Sequence, residues 1–392
     1  MRYFLFFWLL ATTSIHAQNL VSGRLVDEHQ QPVPYASIAL VDGSTGTASN
    51  EVGEFSLKLP AFPQQLTVLS IGYERTTIAV TQAGPLPVVV LHASAVVLPE
   101  VTVRANGEAE ELVRRCYAKL LRHEKDVQYG RAFYRQKTRE NGRYREFFDA
   151  FYDVKITPRN MPSWVLGEAR YAFTPGGLTM ANFSMFTRFL PLFQANPVVA
   201  GITLVPLRAD ATTYFTFVLR QTLREQGREL AVIDFTPRPE TKSALKGTLY
   251  IDSRTAAIFR VEQNVPMNAV GFSKPSFQVE NMVLRLTTDF VAQNDSLTRI
   301  ASARNVMTVN ANVKGFPNET VITSYFFIYE YGAPTPGQKY SDTNPALVDL
   351  APIRKRRYNP QFWRDNAVIK ASPIEETIIQ DFEGQKVFGK LN

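Results

Sequence analysis

Residues 277–331 read FQVENMVLRLTTDFVAQNDSLTRIASARNVMTVNANVKGFPNETVITSYFFIYEY. Two short polar turns, around NDS and KG, divide this stretch into three long runs of strand-forming residues. The first run has the period-two pattern of a β-strand, and one of its faces collects Met282, Leu284, Leu286 and Phe290. Connections this short join antiparallel neighbours, and long strands twist and curl. The stretch therefore predicts a curved antiparallel sheet.

The third run is apolar on both of its faces. Within residues 321–330, Tyr325 and Phe327 share one face, and Phe326 and Ile328 share the other. Two apolar faces are typical of a strand in a sheet that is covered on both sides. We therefore expect helices, loops or a ligand on each side of this sheet.

Two hairpins are predicted before this stretch. Residues 213–223 and 229–235 flank the turn EQGR, and residues 247–251 and 257–263 flank the turn DSRT. These hairpins and the three long runs together predict an antiparallel meander in the second half of the chain.

A helix is predicted ahead of these strands. Asn106 is its expected N-cap, and Glu108, Glu110 and Glu111 would lie in the first turn, where the helix dipole favours acids. Cys116 is the only cysteine, and we expect it to be a small buried hydrophobe rather than a nucleophile. It lies on an apolar stripe at helical spacing, which consists of Leu112, Val113, Cys116, Tyr117, Leu120 and Leu121.

Two further helix starts are predicted near the end of the chain. Asn359 followed by Pro360 is the first of them. The second is the capping box Ser372-Pro373-Ile374-Glu375. We expect both to be structural.

The first hundred residues predict a β-sandwich. Short apolar runs recur at roughly ten-residue spacing, with turn residues between them. The runs cover residues 20–26, 33–41, 53–59, 66–71, 76–80 and 88–91.

Five motifs occur in order in this part of the chain: VSGRLVD at 21–27, PYASI at 34–38, GTASNEVGEF at 46–55, SIGY at 70–73 and LPEVTV at 98–103. Together they resemble the carboxypeptidase-regulatory-like domain of secreted Bacteroidetes proteins. The resemblance implies a transthyretin-like sandwich. It implies an accessory module rather than peptidase activity, because a fold by itself does not define a function.

A second resemblance rests on fewer residues. GTLYID at 247–252 and AIFRVE at 257–262, with the strand order, look distantly similar to the periplasmic lipoprotein-carrier family. That family's fold implies a curved sheet wrapped around helices, with an apolar cavity.

The first seventeen residues predict a secretory signal. Arg2 gives the positive start, residues 4–10 are an unbroken apolar run, and Ala17 is the expected cleavage site. An uncleaved anchor is the alternative. Export makes nucleic acid an unexpected partner despite the net charge of +7. We expect the protein in the periplasm or at the periphery of the outer membrane.

The composition offers little for catalysis. A single cysteine excludes a disulfide framework and a thiolate zinc site, and four histidines leave little for a metal centre. No nucleophile elbow, zinc motif or phosphate loop is present. On a strand, Asp149 and Asp153 would share one face about 13 Å apart, beyond the ~5–9.5 Å of glycosidase carboxylates. We therefore predict a solvated face there, and no catalytic residue, cofactor or metal.

The most unusual stretch runs from residue 189 to residue 207, which contains no charged residue. Its prolines argue against a membrane span. Core or interdomain packing is one explanation. The other is an apolar flap over a ligand or against a membrane, whose contacts would be Met185, Phe186, Phe189, Leu190 and Phe193.

A compact basic run is the second candidate surface, and it consists of Arg354, Lys355, Arg356 and Arg357. It is either a solvated cluster or a contact with anionic lipid head groups.

The predicted fold class is mainly β, with an α+β organisation for the chain as a whole. A signal peptide at 1–17 precedes a transthyretin-like sandwich at 18–105, and a curved antiparallel sheet with helices follows at 106–392. The predicted function is a non-catalytic exported binding or assembly protein of the cell envelope, whose partner is an envelope protein or a lipid, with peripheral membrane contact. The alternatives are a periplasmic lipid or lipoprotein carrier with an apolar cavity, and an enzyme of unrecognised type.

Overall fold

The computed structural model describes residues 19–97, 103–175, 193–194, 205–225, 227–239, 245–266, 277–294, 297–342, 349–366 and 368–389. The predicted signal peptide lies outside these residues. The described part is mainly β, as predicted, with few helices.

The first domain is a sandwich of two small sheets. One sheet has the order β4-β1-β7, with β8 also paired to β1, and the other has the order β3-β2-β5-β6. The strands are β1 (Leu20–Asp27), β2 (Ser37–Leu40), β3 (Gly46–Ala48), β4 (Glu54–Lys58), β5 (Gln64–Leu69), β6 (Thr76–Val80), β7 (Gly84–Pro85) and β8 (Val89–Leu91).

The side chains between these two sheets form a single core that includes Val21, Ile38, Phe55 and Leu66. The predicted sandwich is therefore confirmed. The predicted strand 33–41 starts only at Ser37, because Tyr35 has a φ of 59° and turns the chain before β2.

The second domain is built on a twelve-stranded antiparallel sheet of order β22-β12-β11-β10-β21-β20-β19-β18-β17-β16-β15-β9. Its strands are β9 (Ala95–Val97), β10 (Gln128–Glu140), β11 (Arg143–Ile156), β12 (Ser163–Phe173), β15 (Phe215–Glu225), β16 (Arg228–Pro237), β17 (Lys246–Asp252), β18 (Ile258–Pro266), β19 (Phe277–Ala292), β20 (Thr298–Val313), β21 (Phe316–Gly332) and β22 (Ser341–Asp342). Two short strands, β13 (Phe193–Gln194) and β14 (Leu207–Arg208), pair in parallel beside it. The meander predicted from the hairpins and the long runs is confirmed.

Five helices complete the described structure: α1 (Val103–Arg122), α2 (Ala211–Tyr214), α3 (Leu350–Arg354), α4 (Pro360–Asp365) and α5 (Pro373–Gly384). The predicted caps of α4 and α5 are present, since Asn359 accepts from the Phe362 N–H and Ser372 forms a complete capping box with Glu375. The predicted start of α1 is wrong. The helix begins at Val103, so Asn106 lies inside its first turn and no acidic residue lies there. None of the described helices is both long enough and apolar enough to cross a membrane.

The large sheet has two covered faces, as residues 321–330 predict. We call them the α1 face, on which Phe326 and Ile328 share a core with α1, and the outer face. On the outer face, Tyr325 and Phe327 pack against Trp363 of α4 and against the first domain. The large sheet is therefore enclosed between α1, whose core includes Ile353 of α3, and an outer layer made by the first domain, α4 and α5.

Candidate functional site

A row of polar side chains crosses the outer face of the large sheet. Strand register places one residue from each of nine neighbouring strands directly opposite the next. In order from β16 to β12 they are Asp234, Thr248, Glu262, Thr287, Arg304, Tyr325, Arg135, Asp149 and Arg170. The β12 end of this row is buried, whereas Asp234 and Glu262 keep 40% of their side chains exposed.

Asp149 is the centre of the buried end. It is fully buried and accepts hydrogen bonds from two guanidinium groups. Arg135 donates from Nε at 2.8 Å and from Nη2 at 3.0 Å, and Arg170 donates from Nε at 2.9 Å and from Nη2 at 2.6 Å. Burial raises the pKa of the Asp149 carboxyl, but the two arginine charges outweigh it and hold this pKa below its ordinary value.

The same network joins α5 and the first domain to the sheet. Glu375, the capping-box residue of α5, accepts from Arg135 Nη1 at 2.8 Å and lies 3.3 Å from Lys137 Nζ. Lys137 Nζ also lies 2.7 Å from Glu51 of the first domain, and the Ser372 hydroxyl donates to Glu51 at 2.7 Å. We call the six charged residues the Asp149 cluster: Glu51, Arg135, Lys137, Asp149, Arg170 and Glu375. Each carboxylate in it has a cationic partner, so the cluster acts as a structural junction.

The expectation of a solvated face at Asp149 and Asp153 is wrong for Asp149, which has no exposed surface. The first domain and the C-terminal helices cover this part of the strand, and sequence spacing does not reveal that cover. Asp153 has other partners: Thr335 donates its hydroxyl to Asp153 at 2.9 Å, and Arg131 Nε lies 4.0 Å away.

A cleft of about 460 Å³ opens between the first domain and the outer face. β2 and the segment from Thr67 to Arg75 form one wall, and strands β16, β18, β19, β20 and β21 form the other. Its volume falls within the range of small-molecule sites, about 300–1,000 Å³. Both domains therefore contribute to this site.

Tyr35 connects the cleft to the Asp149 cluster. Its ring centre lies 4.9 Å from that of Tyr325, and the Arg304 guanidinium carbon lies 4.6 Å from the ring centre of Tyr35. The positive φ of Tyr35 is an uncommon backbone conformation for a bulky residue. The aromatic contact thus fixes the first domain on the sheet beside the cleft.

The residues of the predicted flap are only partly described. Met185, Phe186, Phe189 and Leu190 lie outside the described residues. Phe193 is 1% exposed and packs edge-on against Tyr117 of α1, with ring centres 6.3 Å apart. Phe193 is therefore a core residue, which agrees with the core-packing explanation rather than with the flap.

The basic run lies along the edge of the sheet. Lys355, Arg356 and Arg357 are exposed, and the Arg354 guanidinium carbon lies 5.7 Å from the ring centre of Tyr171. Arg356 donates to the Leu166 carbonyl of β12 at 3.0 Å. On this edge of the sheet, β22 pairs with only the first two residues of β12, Ser163 and Trp164. Unpaired strand edges invite unwanted association, so Arg356 also protects an edge. Contact of this run with anionic lipid stays a prediction.

The residues suited to nucleophilic or metal chemistry are dispersed. Cys116 is buried in the α1 core, and burial raises the pKa of its thiol to about 12. His92 Nδ1 lies 2.9 Å from Glu28, and His123 Nδ1 lies 2.7 Å from Asp126. Within the described ranges, no group of three or more His, Cys, Asp or Glu side chains could hold a metal ion.

The sequence did not reveal the Asp149 cluster or the cleft. One signal was available: parts of residues 128–156 alternate apolar side chains with charged ones, as in Val154, Lys155 and Ile156. This alternation is typical of a strand with one wet face. The contacts that cover the charged face come from residues distant in the sequence, from 86 positions away for Glu51 to 240 for Glu375.

The fold and these two sites define a two-domain, mainly β protein in which a small sandwich is fixed on one face of a large antiparallel sheet. Comparison with family models identifies the first domain. Residues 21–103 match the CarboxypepD_reg-like domain, which confirms the predicted resemblance, and residues 165–315 match a family of unknown function, DUF5686.

Solved structures give distant matches. A DUF1329 family protein from Desulfovibrio piger has 10% identity and a TM-score of 0.22, over 59% of this chain and 95% of that one. A LolA superfamily protein from Nitrosomonas europaea has 9% identity and a TM-score of 0.21, over 58% and 94%. MucB, solved in complex with MucA(peri), has 10% identity and a TM-score of 0.17, over 57% and 94%. The search of curated proteins gave no match.

Proposed function

We propose that this protein is an exported, non-catalytic binding protein of the cell envelope, whose binding site is the interdomain cleft. The CarboxypepD_reg-like domain and the large sheet act as one unit that holds an envelope component, a lipid or part of a partner protein, between them. The observation that carries the proposal is the cleft itself, because both of its walls are held in place.

Contacts at three residues of the first domain, Glu51, Glu54 and Tyr35, support the fixed position of the walls. Lys137 and Ser372 hold Glu51 from the sheet side. Lys370 Nζ lies 2.7 Å from Glu54 of the first domain. The ring of Tyr35 packs at a tilt against that of Tyr325. A preformed site spends less free energy on ordering when it binds.

The chemistry of the cleft supports binding rather than catalysis. Its three carboxylates already have partners. Asp289 is bound by Arg260 Nε at 2.5 Å, Glu225 by the Gly72 N–H at 2.6 Å, and Asp42 by Ser44. The described histidines lie elsewhere on the surface, and Cys116 is enclosed in the core. A general base needs hydrogen-bond reach to a proton that it can abstract.

The carrier alternative requires an apolar cavity on the α1 face. The described side chains of that face fill it with a packed core that includes Phe148, Phe215, Phe217, Phe235 and Leu249. The cleft on the outer face is therefore the better supported site.

The test is native mass spectrometry of the mature protein isolated from its own envelope. Ala39 lines the cleft, and Ala39→Trp would fill part of it. Ala61 is exposed in a turn away from the cleft, so Ala61→Trp is the matched control. We expect additional bound mass on the wild type and on Ala61→Trp, and its loss from Ala39→Trp. Equal bound mass on all three proteins would refute the cleft as the site.

A further inference from the structure

Three cationic side chains line the cleft without a close ion pair among the described residues: Arg75, Arg228 and Arg299. Arg75 donates to the Thr67 hydroxyl at 3.1 Å. The guanidinium carbons of the other two lie over aromatic rings, Arg228 at 4.9 Å from the ring centre of Phe259 and Arg299 at 3.6 Å from that of Tyr331.

One of these cations has an unused donor. The Nε–H of Arg299 is buried and has no hydrogen-bond acceptor among the described residues. A buried donor without an acceptor costs free energy, which a ligand oxygen or an ordered water would recover. Stacking on aromatic rings holds guanidinium groups in a fixed plane, and this plane suits the two oxygens of a phosphate or a carboxylate.

The acids of the cleft have hydrogen-bond partners of their own. Asp289 pairs with Arg260 and accepts from the Ser302 hydroxyl at 3.4 Å. Glu225 accepts from the Gly72 N–H, and Asp42 accepts from the backbone and the hydroxyl of Ser44, at 2.9 Å and 2.7 Å. Three carboxylates therefore face four arginines in the lining, since Arg260 joins Arg75, Arg228 and Arg299, and the net charge of the cleft is positive.

The rest of the lining is largely apolar, and it includes Leu69, Ile71, Leu230, Phe259 and Phe327. This floor extends across the sheet from β16 to β21. Arg228 lies at the start of β16 and Arg299 at the start of β20. These two strands are four positions apart in the sheet order, so at the usual strand spacing they are about 19 Å apart. A site of this kind favours a ligand with a long apolar chain and an anionic group at its end.

On the basis of the proposed function, we infer that the cleft binds an amphiphile with a phosphate or carboxylate head group. Its apolar chain lies along Leu230, Phe259 and Phe327. Its head group is bound by an unpaired guanidinium at one end of the floor, either Arg228 or Arg299.

Isothermal titration calorimetry on the full mature chain, with probes below their micellar concentrations, tests this inference. The probes are dodecyl phosphate, dodecanoate, dodecyl maltoside and inorganic phosphate. We expect dodecyl phosphate and dodecanoate to bind at least tenfold more tightly than the neutral dodecyl maltoside and than inorganic phosphate. Equal affinity for dodecyl maltoside would refute the role of the anion, and equal affinity for inorganic phosphate would refute the role of the chain.

The decisive variant combines Arg228→Gln with Arg299→Gln. Its matched control, Arg220→Gln with Arg224→Gln, removes the same charge from two exposed arginines of β15 that do not line the cleft. We expect at least a tenfold loss of dodecyl phosphate affinity in the first variant and little change in the second. Each single variant then identifies the end that holds the head group.

Ala39→Trp separates this inference from the proposed function. Loss of dodecyl phosphate binding in Ala39→Trp, with unchanged binding in the double arginine variant, would retain the cleft and refute the arginine head-group site. Unchanged binding in Ala39→Trp would refute the cleft itself. Circular dichroism and thermal melting verify that each variant is folded. If the double variant does not fold, the two single variants are measured in its place, and unchanged affinity in both refutes the inference.

Discussion

Asp149→Asn is the sharpest test of the Asp149 cluster. The amide has almost the same shape as the carboxylate, so the substitution removes charge and leaves packing nearly intact. It leaves two guanidinium groups, on Arg135 and Arg170, whose side chains are only 9% and 8% exposed. Arg135 retains Glu375 at 2.8 Å. Arg170 retains the ring of Trp363, whose centre lies 4.7 Å from its guanidinium carbon.

The expected loss follows from the burial of these charges. Removing one partner of a buried ion pair costs about 3–5 kcal/mol, because the remaining charge stays buried without compensation. Since the amide oxygen of the new side chain still accepts one hydrogen bond and Arg135 keeps Glu375, we expect the lower end, about 3 kcal/mol, in the free energy of unfolding.

The matched control is Asp153→Asn, on the same strand. Its side chain is 23% exposed, and its nearest cation, Arg131 Nε, lies at 4.0 Å, so we expect a loss of about 0–1 kcal/mol. The assay is equilibrium unfolding in urea, followed by tryptophan fluorescence, to which Trp363 beside the cluster contributes. Losses of equal size in the two variants would refute the conclusion that Asp149 is the buried centre of the network.

The remaining predictions concern the domain junction, acid and the core thiol. Glu51→Gln should weaken docking of the first domain by about 1.5–3 kcal/mol and speed hydrogen exchange at the junction. Glu54→Gln, at a more exposed ion pair, should cost at most about 1 kcal/mol. Equal hydrogen exchange in the two variants would contradict the role of Glu51 in the junction. Asp149 and Glu375 have pKa values below their ordinary 3.8 and 4.5, so their stabilisation is fully present above these ordinary values and is lost as the pH falls below them, through the lower pKa values of the folded protein. Urea midpoints at pH 7, 5 and 3 should therefore decrease mainly between pH 5 and 3, and a constant midpoint contradicts this. Cys116, buried and with a pKa of about 12, should react with a thiol reagent only in denaturant, and rapid reaction of the native protein contradicts its burial.

Much of the fold follows from signals between near neighbours. The first two of the three long runs, which the turns around NDS and KG separate, match β19 (Phe277–Ala292) and β20 (Thr298–Val313). The capping box at Ser372 determines where α5 begins. These signals are readable because strand faces and helix caps depend on residues within a few positions. The sequence analysis did not assign β10–β12, and it expected the charged face at Asp149 to be solvated, because only the packing of the first domain and α5 covers that face.

The sites depend on tertiary structure for a different reason. Sequence alone determined the sandwich, the meander and the C-terminal helix starts. Strand register aligned Arg135, Asp149 and Arg170, and docking of the first domain brought Glu51 to Lys137, eighty-six positions away. The burial that turns these charges into a junction, and the cleft beside it, arise from surfaces that meet only when two domains and the last helix pack on one sheet. Local propensity carries no information about such contacts, because their free energy depends on the distance between side chains in space and on the exclusion of water.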